Sequence, residues 1–276
     1  MDRLPFRAHG PGKQVRRGKF FDNIKDQAGM INRGIQTIFS EVAERYELVN
    51  HVLTIGLDRS WRKQAARLAA KAKGRLWLDV CSGTGEMAES LHRYCGGGSR
   101  IVVVDFSAAM LARVSAKIDC RYFLLAMAEA GLLPFGDQTF DLVTISFATR
   151  NINTSAAALF KHLREFQRVL RPGGCFINLE TSQPRHPIIR KLFHAYIRVA
   201  IRPIGSFLSG SRAGYAYLSS TIRRFYGAAE FARLLGEAGF VNVTWKSLLL
   251  GAAAIHLAHT PGSPIRNANE AHMNSG

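Results

Sequence analysis

The chain has 276 residues, 47% hydrophobic and 21% charged, enough to bury one sizeable core. Its longest apolar or glycine run, Leu248 to Ile255, falls far short of the roughly twenty residues that a membrane-crossing helix needs, and the basic residues 1–20 lack the apolar stretch of a secretory signal, so neither a membrane span nor export is expected. Lysine and arginine outnumber the acids 37 to 20, and the resulting +17 predicts attraction to an anionic surface such as nucleic acid or acidic lipid.

Residues 1–36 form a basic arm with no apolar period and are expected to be flexible. Residues 37–72 read as cover helices: Ile38, Val42, Tyr46, Val49 and Val52 recur at helical spacing, Gly56 breaks the pattern, and a second helix starts near Ser60. The runs RLWLDVC (75–81) and RIVVVDF (100–106), separated by a helix-length segment, predict a parallel βαβ unit. FDLVTISF (140–147) and CFINLETS (175–182) are further buried strands, flanking a helix from about Ser155 to Leu170 that Pro172-Gly173-Gly174 stops. From Thr181 to Ala229 there are eight cations and no acid, and residues 183–227 read as a basic lid or insertion. A helix from Ala228 to Ala238 ends at Gly239, and two extended runs pair through a turn at Gly251. Residues 261–276 read as a disordered tail.

Alternating β and α predicts one doubly wound, mostly parallel α/β domain over 37–260, closed by an antiparallel hairpin. The cysteines, Cys81, Cys95, Cys120 and Cys175, are too far apart for a CxxC pair and suit reduced thiols in the cytoplasm. His256 and His259 are the nearest approach to a ligand pair, and no metal is expected.

The chemistry concentrates in Leu78-Asp79-Val80-Cys81-Ser82-Gly83-Thr84-Gly85-Glu86, where a carboxylate near a strand end precedes two glycines that let backbone amides approach a ligand. Asp105, twenty residues beyond Gly85, closes the next strand where a carboxylate can accept both ribose hydroxyls of an adenosine. GTGEMA also fits a loose dinucleotide pattern. Asp79 favours S-adenosylmethionine, whose ammonium welcomes an anion, over a pyrophosphate that an anion would repel. The plainer alternative is a tight turn at Gly83 and Gly85 with Asp79 as a helix cap.

With VAERYELVNHVLTIGLDRSWR (42–62), LDVCSGTGE (78–86), LPFGDQTFDLVTISFATRNI (133–152), RVLRPGG (168–174) and YLSSTIRRF (217–225), the chain resembles the ubiquinone/menaquinone C-methyltransferase family over roughly residues 37–260. The post-strand ISFATRN is the most particular of these motifs. The resemblance implies the Rossmann-like fold of class I S-adenosylmethionine-dependent methyltransferases, with a seven-stranded sheet, and C-methylation of a polyprenylated quinol in respiratory quinone synthesis. It places Gly83, Thr84, Gly85, Ala88, Asp105, Met127, Ala128 and Ser146 with Asp79 at the cofactor. Two positions depart from the family pattern: Met127 stands where an Asp or Asn usually meets the adenine amine, and Ala88 replaces a hydroxyl, while Glu129 remains nearby.

A phenol-type hydroxyl with a pKa near 10 is mostly neutral at pH 7, so the enzyme must favour the quinolate. Arg150 and Asn151, after the fourth strand, are expected to hold that oxygen, with Tyr46 and Asn50 on the cover helix completing a hydrogen-bond network. In the basic segment Phe193, Tyr196, Ile197, Phe207, Tyr215 and Tyr217 interleave with cations, which suits docking on an anionic inner-membrane surface, the competing readings being a solvated lid and a homodimer contact. Methylation of RNA or of another small molecule, and a catalytically silent quinone-assembly partner, are the alternative functions. Nucleic acid is not expected, because no RNA-binding module is visible.

Overall fold

The computed structural model describes residues 51–262, apart from 53, 73, 95–98, 118–121 and 202–211. Seven strands form one sheet in the order β3-β2-β1-β4-β5-β7-β6. These are β1 (Leu76–Val80), β2 (Arg100–Asp105), β3 (Phe123–Met127), β4 (Phe140–Ser146), β5 (Leu170–Thr181), β6 (Val241–Leu248) and β7 (Ala253–His259). The first five run parallel, and β7 is antiparallel to both β5 and β6. The mostly parallel sheet with its closing hairpin is the architecture expected.

The helices are α1 (Leu57–Ala69), α2 (Glu86–Tyr94), α3 (Ala108–Ser115), the single turn α4 (Thr149–Ile152), α5 (Ala156–Val169), α6 (Pro187–Tyr196), α7 (Arg212–Arg224) and α8 (Ala228–Glu237). None of the helices described is long and apolar enough to cross a membrane.

Strand alternation assigns the two faces of the sheet. Leu78, Val80, Val102, Val104, Val143 and Phe176 point to the side covered by Leu163 and Phe166 of α5 and by Phe231 and Leu235 of α8. Trp77, Ile101, Val103, Leu142 and Ile177 point to the opposite side, under Trp61, Ala65 and Ala69 of α1, Leu91 of α2 and Val114 of α3. Asp79 and Asp105 share the parity of Trp77 and Val103, so both acids lie on the side of α1, α2 and α3. The strand order reverses between β1 and β4, and the carboxyl edge at that point is where open α/β sheets bind ligands.

One boundary differs from expectation. Helix α5 ends at Val169, as its period predicts, but β5 begins at Leu170, five residues before the expected Cys175. Leu170 turns extended and pairs with Phe140, and the register then jumps to Leu142 opposite Cys175, so Pro172-Gly173-Gly174 bulges within the strand. Gly173 takes the left-handed φ of 73° and donates its N–H to Pro261 O at 3.1 Å.

Candidate active site

The chain turns sharply where β1 meets α2. Cys81, Gly83 and Gly85 all have left-handed backbone, at φ 53°, 57° and 86°. Gly83 has open space where a side chain would be, whereas a Cβ at Gly85 would approach Val114 Cγ1 to 3.1 Å. The first glycine thus leaves room for a ligand and the second lets α2 pack on α3. Phe147, just after β4, is left-handed at φ 54°, so the ends of the two strands flanking the switch point both carry strained non-glycine residues.

Asp105 ties the turn together. Its Oδ2 accepts the Gly83 N–H and its Oδ1 the Ser107 N–H, both at 2.9 Å. Its main-chain oxygen accepts the Ala128 N–H at 3.1 Å, and Asp105 is the register partner of Met127. Burial raises the Asp105 carboxyl to about 6 despite these donors. Asp79 is fully buried: Oδ1 accepts the Thr144 hydroxyl at 2.7 Å, while Oδ2 makes no hydrogen bond of ordinary geometry among the described residues, the Ala88 backbone N–H being the donor that acts on the carboxyl from nearby. Burial pushes it up to about 7, against the opposing pull of the Thr144 hydroxyl and the Arg62 charge. A buried carboxylate that is under-supplied with donors among the described residues, beside a glycine turn at which they leave open space over Gly83, fits a ligand carrying an ammonium group.

The structure therefore gathers Asp79, Gly83, Gly85, Asp105, Met127, Ala128 and Ser146 at one edge of the sheet. Thr84 and Ala88 are buried within this region. Ala88, in the first turns of α2, is 0% exposed and belongs to the apolar cluster on the α1 side of the sheet. Tyr46 and Asn50 lie outside the described residues, as do the side chains of Tyr215 and Tyr217.

Arg150 and Asn151 occupy α4, directly beyond β4. Arg150 is buried and its Nη1 lies 2.6 Å from Glu180 Oε1, with its backbone N–H donated to Glu180 Oε2 at 3.2 Å. Thr149 anchors the same turn by donating its hydroxyl to Asn178 Oδ1. The Asn151 Oδ1 atom is closed to solvent and accepts no hydrogen bond from the described residues. A buried acceptor and a cation fixed by its acid thus share the single turn beyond β4.

Two features escaped the sequence reading. Glu180, at the end of the apolar run CFINLETS, is 1% exposed, and a buried acid among apolar residues signals that a cation must meet it. The second is a polar network joining α1 to the cofactor turn. Arg62 spans Asp58 at 2.6 Å and Glu86 at 2.9 Å, His51 Nδ1 lies 2.7 Å from Asp58, and Arg59 Nε donates to His51 Nε2 at 2.9 Å. Burial alone would raise the Asp58 carboxyl, but the His51, Arg62 and Thr54 contacts hold it below its usual range. The Arg62 guanidinium also sits 5.2 Å over the Phe147 ring. His51, Asp58 and Glu86 have the makings of a metal site, yet the cation between the carboxylates is Arg62 itself. The spacing of Asp58 and Arg62, four apart on either side of buried Trp61, was the available signal.

Comparison with known proteins agrees with this geometry. A model of the ubiE/COQ5 methyltransferase family matches residues 23–260. A demethylmenaquinone methyltransferase of Staphylococcus aureus (strain JH9) is 33% identical over 226 residues, spanning 82% of this chain and 92% of that protein. Among solved structures, a methyltransferase from Haloferax volcanii in complex with its Trm112 activator superposes with a TM-score of 0.58 at 17% identity, covering 81% of this chain and 97% of the other. Human N-acetylserotonin methyltransferase in complex with S-adenosylmethionine does so at 0.55 and 15%, covering 79% and 56%. These structures share the fold, and the sequence match is the more specific: the chain belongs to the ubiE/COQ5 methyltransferase family, enzymes that depend on S-adenosylmethionine.

Proposed function

We propose that this enzyme methylates a ring carbon of a polyprenylated quinol in respiratory quinone synthesis, converting demethylmenaquinol to menaquinol, methylating a 2-methoxy-6-polyprenyl-1,4-benzoquinol, or both. The observation that carries the reading is the match across 92% of a protein named for demethylmenaquinone. The donor, when bound, supplies an electrophilic methyl on a sulfonium. The protein's own task is to hold that donor, activate the ring and align the two.

Asp79 meets the donor's ammonium, Asp105 its ribose, and Gly83 gives close backbone approach, with Met127, Ala128 and Ser146 lining the adenosine. Arg150, held by Glu180, steadies negative charge on the ring oxygen, and the Asn151 Oδ1 accepts a hydrogen bond from the quinol hydroxyl. Tyr46 and Asn50, outside the described residues, are further candidates for this network by the family resemblance. Alignment of the carbon behind the methyl supplies about 7–11 kcal/mol of the barrier reduction. In this reading residues 37–260 are the catalytic domain, and the basic insertion 183–227 brings it to the cytoplasmic face of the inner membrane.

The test is expression in bacteria that lack their quinone C-methyltransferase, followed by mass spectrometry of extracted quinones. Restored methylation of the naphthoquinone, the benzoquinone or both names the substrate, and unmethylated quinones with soluble, cofactor-binding protein reject the proposal. In the same assay Arg150→Ala is expected to titrate normally with S-adenosylmethionine while turnover falls by about 10²- to 10³-fold.

A further inference from the structure

We propose that a two-part apolar rim beside the cleft, formed by α6 and by the tip between β6 and β7, docks on an anionic lipid bilayer; the choice of occupant rests on the quinol reading above. Helix α6 buries none of its residues, although it is strongly amphipathic in sequence. Ile188 and Leu192 are 63% and 65% exposed, and Val199, in the π-turn that follows (Ile197–Ile201), is 72% exposed. Their spacing of four and seven residues puts them on one face. Lys191 and Arg198, seven residues apart and both exposed, each directly precede Leu192 and Val199, and exposed Arg185 lies just before the helix.

The second part is Leu249 and Leu250, 55% and 74% exposed, with left-handed φ of 42° and 54°. Leucine avoids that backbone region, so the tip holds two apolar side chains outward in a conformation their chemistry does not favour. The parts adjoin. Ala253, at the start of β7, is the register partner of Thr181 at the end of β5, and Ser182 donates its N–H to Ala252 O at 2.8 Å. Gly251 packs so closely on Pro184 that a Cβ there would lie 3.1 Å from Pro184 Cα. Both parts therefore emerge at the carboxyl edge of the sheet, the edge that carries Ser146 and Arg150.

Clustered exposed apolar residues of this kind mark an interaction surface. The charge along this segment selects its partner: Arg185, Arg190, Lys191 and Arg198 are exposed on or beside α6, and the sequence from 181 to 229 contains no acid, which complements acidic headgroups, while aliphatic side chains between the cations suit the headgroup–acyl boundary. Each cation near an acidic leaflet favours binding by about fivefold. A rim lying on the bilayer beside the cleft lets a ring reach the site while its polyprenyl tail stays in lipid.

The experiment is flotation of the full chain with phosphatidylcholine vesicles and with phosphatidylcholine–phosphatidylglycerol vesicles. Wild type is expected to float with the mixed vesicles and to bind the neutral ones at least about tenfold less. The double variants Leu249→Ser/Leu250→Ser and Ile188→Ser/Leu192→Ser should each lose about tenfold or more in partitioning. Both should keep wild-type titration with S-adenosylmethionine, which shows that they are folded, and wild-type methylation of a tail-less quinol. Variants that float as wild type does, or a wild type indifferent to phosphatidylglycerol, overturn the proposal. So does a wild type that is dimeric without binding vesicles while the variants sediment as monomers, because the rim then covers a second copy. Vesicle binding as expected with no methylated quinone in the bacterial assay would leave the docking rim standing and remove the substrate reading; methylated quinone with no vesicle binding does the reverse.

Discussion

Asp79 carries the sharpest consequence at the scale of single residues. Burial raises its carboxyl from the ordinary 3.8 to about 7, so near pH 6 the ligand-free folded protein holds a proton there that the unfolded chain has released. The raised value means that stability associated with this group is full below about 4 and is lost as pH rises through about 7. On the proposed reading, in which Asp79 meets the donor's ammonium, that cation favours the ionised form, and binding below pH 7 expels the proton. S-adenosylmethionine affinity should therefore rise between about pH 5.5 and 7 and level off above, with proton release detectable by calorimetry in buffers of different ionisation enthalpy. Asp105, raised to about 6, titrates lower in the same range, and Asp79→Asn separates the two by leaving only the lower step. An affinity that is flat from pH 5.5 to 8 in the wild type would remove Asp79 from the ammonium site. Arg150 and Glu180 are buried in contact at 2.6 Å, which fixes the arginine in place just beyond β4.

Among elements, α1 is joined to the cofactor turn by more than packing. Arg62 reaches from α1 to Glu86, the first residue of α2, so the helix covering the sheet and the helix opening the cofactor turn share one buried guanidinium. Removing it leaves Asp58 and Glu86 without their common cation, and Arg62→Ala is expected to cost about 3–5 kcal/mol in urea unfolding and to raise the KM for S-adenosylmethionine. Arg62→Lys keeps the charge but not the two-pronged geometry, and should recover only part of both. Loss of stability with an unchanged KM would mean that the network supports α1 alone. This network also shows where sequence stopped being informative. β1, β2, β4 and the hairpin were legible because β-branched runs bounded by glycine admit few other folds, and Asp79, Gly83 and Asp105 were legible because a strand end followed by a glycine turn fixes their place. The contacts of Arg62 and Arg150 were not, since each partner lies on another element and only the assembled sheet brings them together. Part of what carries the family resemblance is structural: Arg168 of RVLRPGG bonds Glu165, Asp137 and the carbonyls of Leu133 and Phe135 at the start of the 133–152 motif. The strand start at Leu170 was hidden for a related reason, because a Pro-Gly-Gly bulge within a strand has the same local sequence as a turn before one.

For the molecule as a whole the governing quantity is the net charge of +17, which opposes compaction through self-repulsion. Salt acts on this term selectively. The Debye length shrinks from about 10 Å at 0.1 M to about 3 Å at 1 M, which damps repulsion among exposed cations, whereas the buried pairs Arg150–Glu180 and Arg62–Asp58 are screened much less. Exposed pairs such as Arg171–Asp141 and Arg233–Glu237 lose strength as well, but each is worth at most about 1 kcal/mol. Repulsion should therefore win, and the thermal midpoint of the ligand-free protein should climb by several degrees between 0.05 and 0.5 M sodium chloride, with a neutral osmolyte as the control for general solvent effects. If the proposed docking holds, the same salt should weaken vesicle flotation, so that the conditions which most stabilise the isolated chain are those that least favour docking. A midpoint that falls with salt would show that attractive surface pairs outweigh the excess of cations, and the basic face would then owe its retention to folding rather than to a partner.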